Sequence, residues 1–188
     1  MVNRLQLSAR TLSSHLKVVL LLVAVLWSLE LVDTVLLNQF LNSFGIRPRT
    51  TIGLLGIVLA PFLHGGLMHL MTNTLPFAVL ALLILMRDRD EFVLVTLVVW
   101  LVSGLGVWLI GPAQTVHIGV SGIIFGYLGF LLLRGFFDGK LTSILIALAV
   151  GVAYGSVLWG VLPLEAGVSW QGHLFGFIGG GIAARWVS

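Results

Sequence analysis

Residues 117–126 read His117-Ile118-Gly119-Val120-Ser121-Gly122-Ile123-Ile124-Phe125-Gly126. One hydroxyl stands between two glycines, where a polar connection gives way to an apolar helical run. The glycines let the backbone turn tightly and let another chain approach. The helix that follows aims unpaired N–H groups and the positive end of its dipole at any anion formed beside Ser121. The pattern suits a nucleophile, but small residues ahead of a membrane helix also serve plain helix packing, so the rest of the chain has to decide.

The 188 residues are 59% hydrophobic and only 9% charged, with a mean hydropathy of +1.12. Too little polar surface is available to cover a soluble globule of this size, which makes the chain an integral membrane protein. The lack of cysteine excludes disulfides and thiolate metal sites. The net charge of +3 is modest and the basic residues sit at segment ends, so no nucleic-acid partner is expected. No cleaved signal peptide is expected either, because the first apolar run is as long as a full span and no small-residue cleavage site follows it.

Hydropathy and punctuation predict one membrane domain over residues 1–188, with a cytoplasmic N-terminal segment at 1–17 and six spans at about 18–37, 66–86, 92–110, 121–133, 141–162 and 170–184. Glu30 and Asp33 lie one helical turn apart in the outer part of span one, where bundle partners or interfacial water can satisfy them. The connection from Asn38 to about Leu63 is too long for a tight turn and too apolar for a solvated linker. It reads as a structured first loop lying in the membrane interface. With the N-terminus in the cytoplasm, Arg4, Arg10, Lys17, Arg87, Arg89, Arg134, Lys140 and Arg185 fall inside and only Arg47 and Arg49 outside. The positive-inside rule therefore places both termini in the cytoplasm.

From Ser121 to Arg134 the helix rise covers only about 20 Å, against a hydrocarbon core of about 30 Å. Span four is thus expected to start well below the outer surface, reached by a re-entrant loop over 111–120 whose backbone is satisfied by protein or by a wet cavity. On the same rise His173 stands about 18 Å above the inner face, measured to Arg185, and Asn73 about 21 Å, measured to Arg87. The three side chains share a level. His69 and Asn73 are four apart and lie on one helix face, whereas His64 points roughly 140° away and is read as a loop or supporting residue. Gly122 and Gly126 on one span, and Gly172, Gly176 and Gly180 on another, repeat every four residues as in close helix contacts. Such packing can bring Ser121 and His173 together.

A serine hydroxyl needs a base to take its proton, and neutral imidazole is the side chain suited to this near pH 7. A tetrahedral oxyanion needs preplaced donors, and His69, Asn73 and the backbone N–H of Ser121 are available in the same layer. No carboxylate at that depth is evident to orient His173, so the expectation is a two-residue dyad that needs neither cofactor nor metal. A metal site built from His64, His69 and His173 is disfavoured by the offset between the first two.

At His64…His69-Leu70-Met71-Thr72-Asn73, Gly119-Val120-Ser121-Gly122 and Gly172-His173-Leu174-Phe175-Gly176, the chain resembles the rhomboid family of intramembrane serine proteases. The similarity covers nearly everything from span one onward. It implies an all-α, six-span rhomboid-like bundle of the compact bacterial type in the plasma membrane, with Ser121 as nucleophile and His173 as general base and acid. His69 and Asn73 would serve as oxyanion-hole side chains. It further implies a water-accessible cavity open to the outside and gated by span five and the loop from Pro163 to Ser169. Transmembrane protein segments in membrane lipid would be the substrates. Gly119 matches the glycine two before the nucleophile, and Phe125 the aromatic ring that packs on the base. The chain departs from the family in lacking the Trp-Arg pair some members carry in the first loop, and in having Gly172 where Ala often precedes the base. A reading from a different class is a non-catalytic rhomboid-like chaperone or client-binding protein, which would typically lack the serine or the histidine.

Overall fold

Apolar runs of membrane-spanning length punctuated by glycine, proline and short charged groups suit helices, which satisfy their own backbone, and among the described residues the regular elements of the computed structural model are helices, with one isolated bridge between Ile46 and His117. It describes residues 4–165 and 167–188, with side chains described from Thr11 onward. Residues 1–3 of the N-terminal segment, and Ala166 in the loop from Pro163 to Ser169, lie outside the described residues. Seven α-helices follow in order: α1 (Arg4–Leu36), α2 (Thr51–Leu59), α3 (Leu67–Arg87), α4 (Arg89–Ile110), α5 (Ser121–Asp138), α6 (Leu141–Tyr154) and α7 (Trp170–Trp186). Short 3-10 segments lie at Phe40–Phe44, Ala60–Phe62 and Gly155–Val161. Among the described residues, five helical stretches are long and apolar enough to cross a membrane: Thr11–Leu36, Leu67–Arg87, Arg89–Ile110, Ser121–Asp138 and Leu141–Val161. α7, with 17 residues, is slightly shorter and packs chiefly against α5 and α4.

α5 is the central post: 61% of its apolar window is buried, against 6% for the stretch Leu141–Val161. Its packing is set by glycine. A Cβ on Gly176 would fall on the Gly122 carbonyl oxygen, and one on Gly180 on the Gly126 carbonyl oxygen. Any side chain there would force α5 and α7 apart. Gly126 and Gly106 leave room for Val99 and Phe175 in the same way.

Two boundaries differ from the sequence expectation for physical reasons. The polar N-terminal residues do not precede the first helix but join it from Arg4. α5 does not stop before Arg134; it continues to Asp138 and ends on Gly139 at φ 60. Arg134 can stay inside because its charge is matched: it is 4% exposed and pairs with Glu91 at 3.0 Å and Asp138 at 3.3 Å. Arg87 closes the ring, 3.4 Å from Glu91 and 3.2 Å from Asp138. The ring ties the junction of α3 and α4, where Asp88 alone separates the helices and caps α4 through the N–H groups of Asp90 and Glu91, to the end of α5. Ser143 of α6 joins it, donating to Asp138 at 2.8 Å and accepting from Arg87 at 2.8 Å.

The first loop is ordered by hydrogen bonds to α4. The indoles of Trp100 and Trp108 donate to the carbonyls of Ile57 and Thr50 at 2.6 and 2.8 Å, and Arg49 caps the end of α4 through the carbonyls of Leu109 and Gly111. α2 starts on Thr50, whose hydroxyl accepts from the Gly53 N–H. It buries Gly53, Gly56 and Ile57 and exposes Ile52, Leu55 and Val58. Glu30 and Asp33 are each 2% exposed. Thr34 donates to Glu30 at 2.8 Å, and Asp33 accepts from the Leu41 N–H at 2.8 Å, fixing the turn out of α1.

Candidate active site

The connection from α4 to α5 is strapped down before it delivers Ser121. His117 pairs with Ile46 of the first loop through two backbone hydrogen bonds of 2.9 Å, and the Gly119 N–H donates to the Ala60 carbonyl at 2.8 Å. Gly119 then turns at φ +112, a conformation that side chains rarely adopt. A Cβ there would stand 3.1 Å from Cε1 of His69, so glycine serves both the turn and the close approach of the imidazole. Ser121 follows as the first residue of α5, where first-turn N–H groups have no acceptor in the helix.

Across from it, α7 presents His173. Its Nε2 stands 2.9 Å from Ser121 Oγ, and its Nδ1 stands 2.8 Å from the carbonyl oxygen of Gly160. A carbonyl only accepts, so Nδ1 carries the proton in the neutral ring. That leaves the Nε2 lone pair free to accept from the Ser121 hydroxyl. The Phe125 ring stacks on the imidazole at 4.0 Å between centroids and 6° between planes. The ring is thus fixed on one face and at both nitrogens. The backbone partner supplied by Gly160 is invisible to a search for carboxylates, because every residue type offers a carbonyl; only its place in the fold selects it.

α3 supplies the remaining side chains. The Gly65 N–H donates to Nδ1 of His69 at 3.3 Å, so the proton of the neutral ring is on Nε2, the atom that faces Gly119 beside Ser121. Asn73, one turn further on, has a buried Nδ2 with no hydrogen-bond partner. His64 lies ahead of α3 rather than on it, so the helical offset does not apply. Its ring is fully buried, stands 5.3 Å from that of His69, and accepts from the Val120 N–H at 3.4 Å. Burial, helped by neighbouring His69 and opposed by the Phe62 carbonyl, pushes its pKa down to about 4. It is neutral at pH 7 and braces the residue before Ser121. Gly176 and Gly180 of α7 lie against the carbonyls of Gly122 and Gly126 and bring α5 and α7 together, whereas Gly172 faces Ser103 and Val107 of α4 and accepts from the Ser103 hydroxyl at 2.8 Å.

Two cavities border this cluster. One, of about 40 Å³, lies behind Ser121 and is lined by Ser103, His117, Ser169 and Gly172 among others. Another, of about 310 Å³, opens on the other side of His173 between Phe125, Trp159, Leu164 and Glu165. A hydroxyl hydrogen-bonded to an imidazole of fixed tautomer, beside a second imidazole and a buried amide donor without a partner, is chemically equipped for acyl transfer.

A family model described as the Rhomboid domain matches residues 52–188. An uncharacterized protein of Mycobacterium tuberculosis is 44% identical over 178 residues, covering 90% of this chain and 74% of that one. An uncharacterized protein of Mycobacterium leprae is 44% identical over the same length, covering 90% and 70%. A protein of Bacillus subtilis, YdcA, provisionally named a rhomboid protease, is 28% identical over 127 residues, covering 63% and 59%.

Proposed function

The chain belongs to the rhomboid family of intramembrane proteases, and from that premise we propose that it is a serine endopeptidase. It would hydrolyse peptide bonds in or near transmembrane segments of membrane proteins by a Ser121–His173 dyad. The observation that carries the reading is the pair of hydrogen bonds on His173: 2.9 Å to Ser121 Oγ and 2.8 Å to the Gly160 carbonyl. The second sets the tautomer that the first requires.

In the proposed reaction Nε2 of His173 takes the proton as Ser121 Oγ attacks the scissile carbonyl carbon. The new oxyanion accepts from Nε2–H of His69, Nδ2–H of Asn73 and the N–H of Ser121. Collapse of the adduct releases the amine, which leaves with the proton held by His173. Water then attacks the acyl-enzyme with the same imidazole as base. The orphaned Asn73 donor supports this assignment, since a buried donor without a partner is costly and calls for a role.

The membrane placement belongs to the same reading. The protein would be a multi-pass plasma-membrane protein with six crossings, α7 being the sixth, and both termini in the cytoplasm. The loop 111–120 would re-enter the membrane, since the 18 residues of α5 span about 27 Å of a core about 30 Å thick. α6 and the following loop, poorly buried, would open the way for substrate.

Labelling with a serine-reactive fluorophosphonate tests the proposal. Wild type should label, and Ser121→Ala and His173→Ala should not, with unfolding temperatures unchanged. A folded wild type that neither labels nor cleaves any membrane substrate would overturn the protease and leave the non-catalytic, client-binding reading.

A further inference from the structure

The two elements that carry Ser121 and His173 are joined twice. Four residues before Ser121 stands His117, and four residues before His173 stands Ser169, at the N-cap position of α7, where its side chain makes no capping hydrogen bond. His117 Nδ1 and Ser169 Oγ are 2.7 Å apart. A second serine–histidine hydrogen bond therefore spans the same gap as the first, with the partners exchanged between the elements.

Its proton arrangement is fixed as well. The Thr115 hydroxyl donates to the Pro112 carbonyl at 2.7 Å, so it accepts from His117 Nε2 at 2.8 Å. His117 Nδ1 is then a lone pair, and Ser169 donates to it. The backbone of His117 is held by Ile46 and that of Ser169 by α7, through the Ser169 carbonyl to the His173 N–H at 3.2 Å. Each end of the link is held by backbone hydrogen bonds and stands four residues from Ser121 or His173.

We infer that His117 and Ser169 are positioning residues for the proposed dyad: their hydrogen bond sets the separation of the nucleophile loop and the base helix. It does so from the side of the small cavity behind Ser121, which both residues line. The Gly122–Gly176 contact sets the same spacing from one turn inside. The Ser103–Gly172 bond ties the first turn of α7 to α4, and the bond at 2.7 Å adds a direct tie from that turn to the loop that carries Ser121. A displacement of the base by about 1 Å is enough to slow acyl transfer by about a hundredfold. This inference rests on the dyad reading.

The test is the rate of fluorophosphonate labelling at Ser121, measured beside kcat, KM and the unfolding temperature. Ser169→Ala and His117→Leu should each lower the labelling rate and kcat by about tenfold to a hundredfold with KM little changed. The double variant should lose no more than the worse single one. Ser169→Thr, which keeps the hydroxyl, and His117→Asn, which keeps a polar atom near the position of Nδ1, should restore most of the rate. If Ser169→Ala does not fold, Ser169→Cys provides the comparison, with an intermediate loss expected from its weaker hydrogen bond. Labelling as fast as wild type in folded Ser169→Ala, losses that multiply in the double variant, or no rescue by either conservative change would overturn the inference. An unlabelled wild type would instead count against the dyad itself. Label that persists in Ser121→Ala and is lost on adding Ser169→Ala would show Ser169 to be a nucleophile rather than a strut, and would likewise overturn it.

Discussion

The Nδ1 atom of His173 meets the carbonyl oxygen of Gly160 at 2.8 Å, so a backbone group holds the proposed base where a triad would use a carboxylate. A Cβ on Gly160 would stand 2.8 Å from Phe125 Cζ and 3.2 Å from that Nδ1. Gly160→Ala should therefore press the stacked rings out of place. The expected result is a fall in kcat of about tenfold or more with KM little altered, read from steady-state cleavage in liposomes.

Asn73 offers a separation of stability from activity. Its Nδ2 is buried and unpartnered, a state that costs about 1–3 kcal/mol. Asn73→Leu should therefore unfold at the same or a higher temperature than wild type, while cleavage falls by about 10²–10³, as for loss of one oxyanion donor. His69→Ala should lose a similar factor. An Asn73→Leu variant that cleaves at the wild-type rate would remove Asn73 from the oxyanion hole.

The helix spacing predicts a loss of both properties. Because the Cβ of any residue at 176 would fall on the Gly122 carbonyl, Gly176→Val should cost about 1–3 kcal/mol or more in stability. It should also slow labelling of Ser121 by parting α5 from α7. Gly139, with nothing within 4 Å of its Cβ position but a φ of +60, is the contrasting case. Gly139→Asn should be mild, since asparagine tolerates that conformation.

Acid should weaken the fold through His64. Its folded pKa of about 4 lies below the ordinary histidine value of 6.5, so the unfolded chain takes up the proton first. The stability contribution is complete above about pH 6.5 and is lost as pH falls toward about 4. His117, whose pKa burial also pushes down, acts in the same direction. Unfolding temperature measured from pH 8 to pH 4 should drop in wild type and drop less in His64→Phe; equal slopes would remove His64 as the cause.

Much of this arrangement is readable from the sequence because it is carried by residue type and spacing. Glycines four apart mark where α5 and α7 can touch, and helix rise places Ser121, Asn73 and His173 at one level. The nearness of Ser121 and His173 needs little more. Three features are not readable in this way, each for its own reason. The Gly160 carbonyl is a group that every position possesses. His117 looks like a loop residue until Ser169, 52 positions away, is brought against it. Arg134 resembles the start of a polar turn, since a charge in a window of sequence carries no sign of the two carboxylates that will surround it. His64 stands in the loop, as a supporting residue would, but not because of its helical offset: the chain turns at Gly66, at φ +112, and helical angles counted across that turn have no meaning.

The charged ring at the far end of the bundle has a mechanical corollary. α6 is moored there through Ser143 and buries only Val150 besides, while the segment that continues it carries Gly160. An outward tilt of about 10° hinged at Ser143 would carry Gly160 roughly 4 Å, given a rise of about 1.5 Å per residue. That is more than enough to part its carbonyl from His173. The proposed base would lose its tautomer-setting partner in such a tilt and regain it on the return. The mooring at Ser143 would thus bear on the tautomer of His173 from the opposite end of the helix.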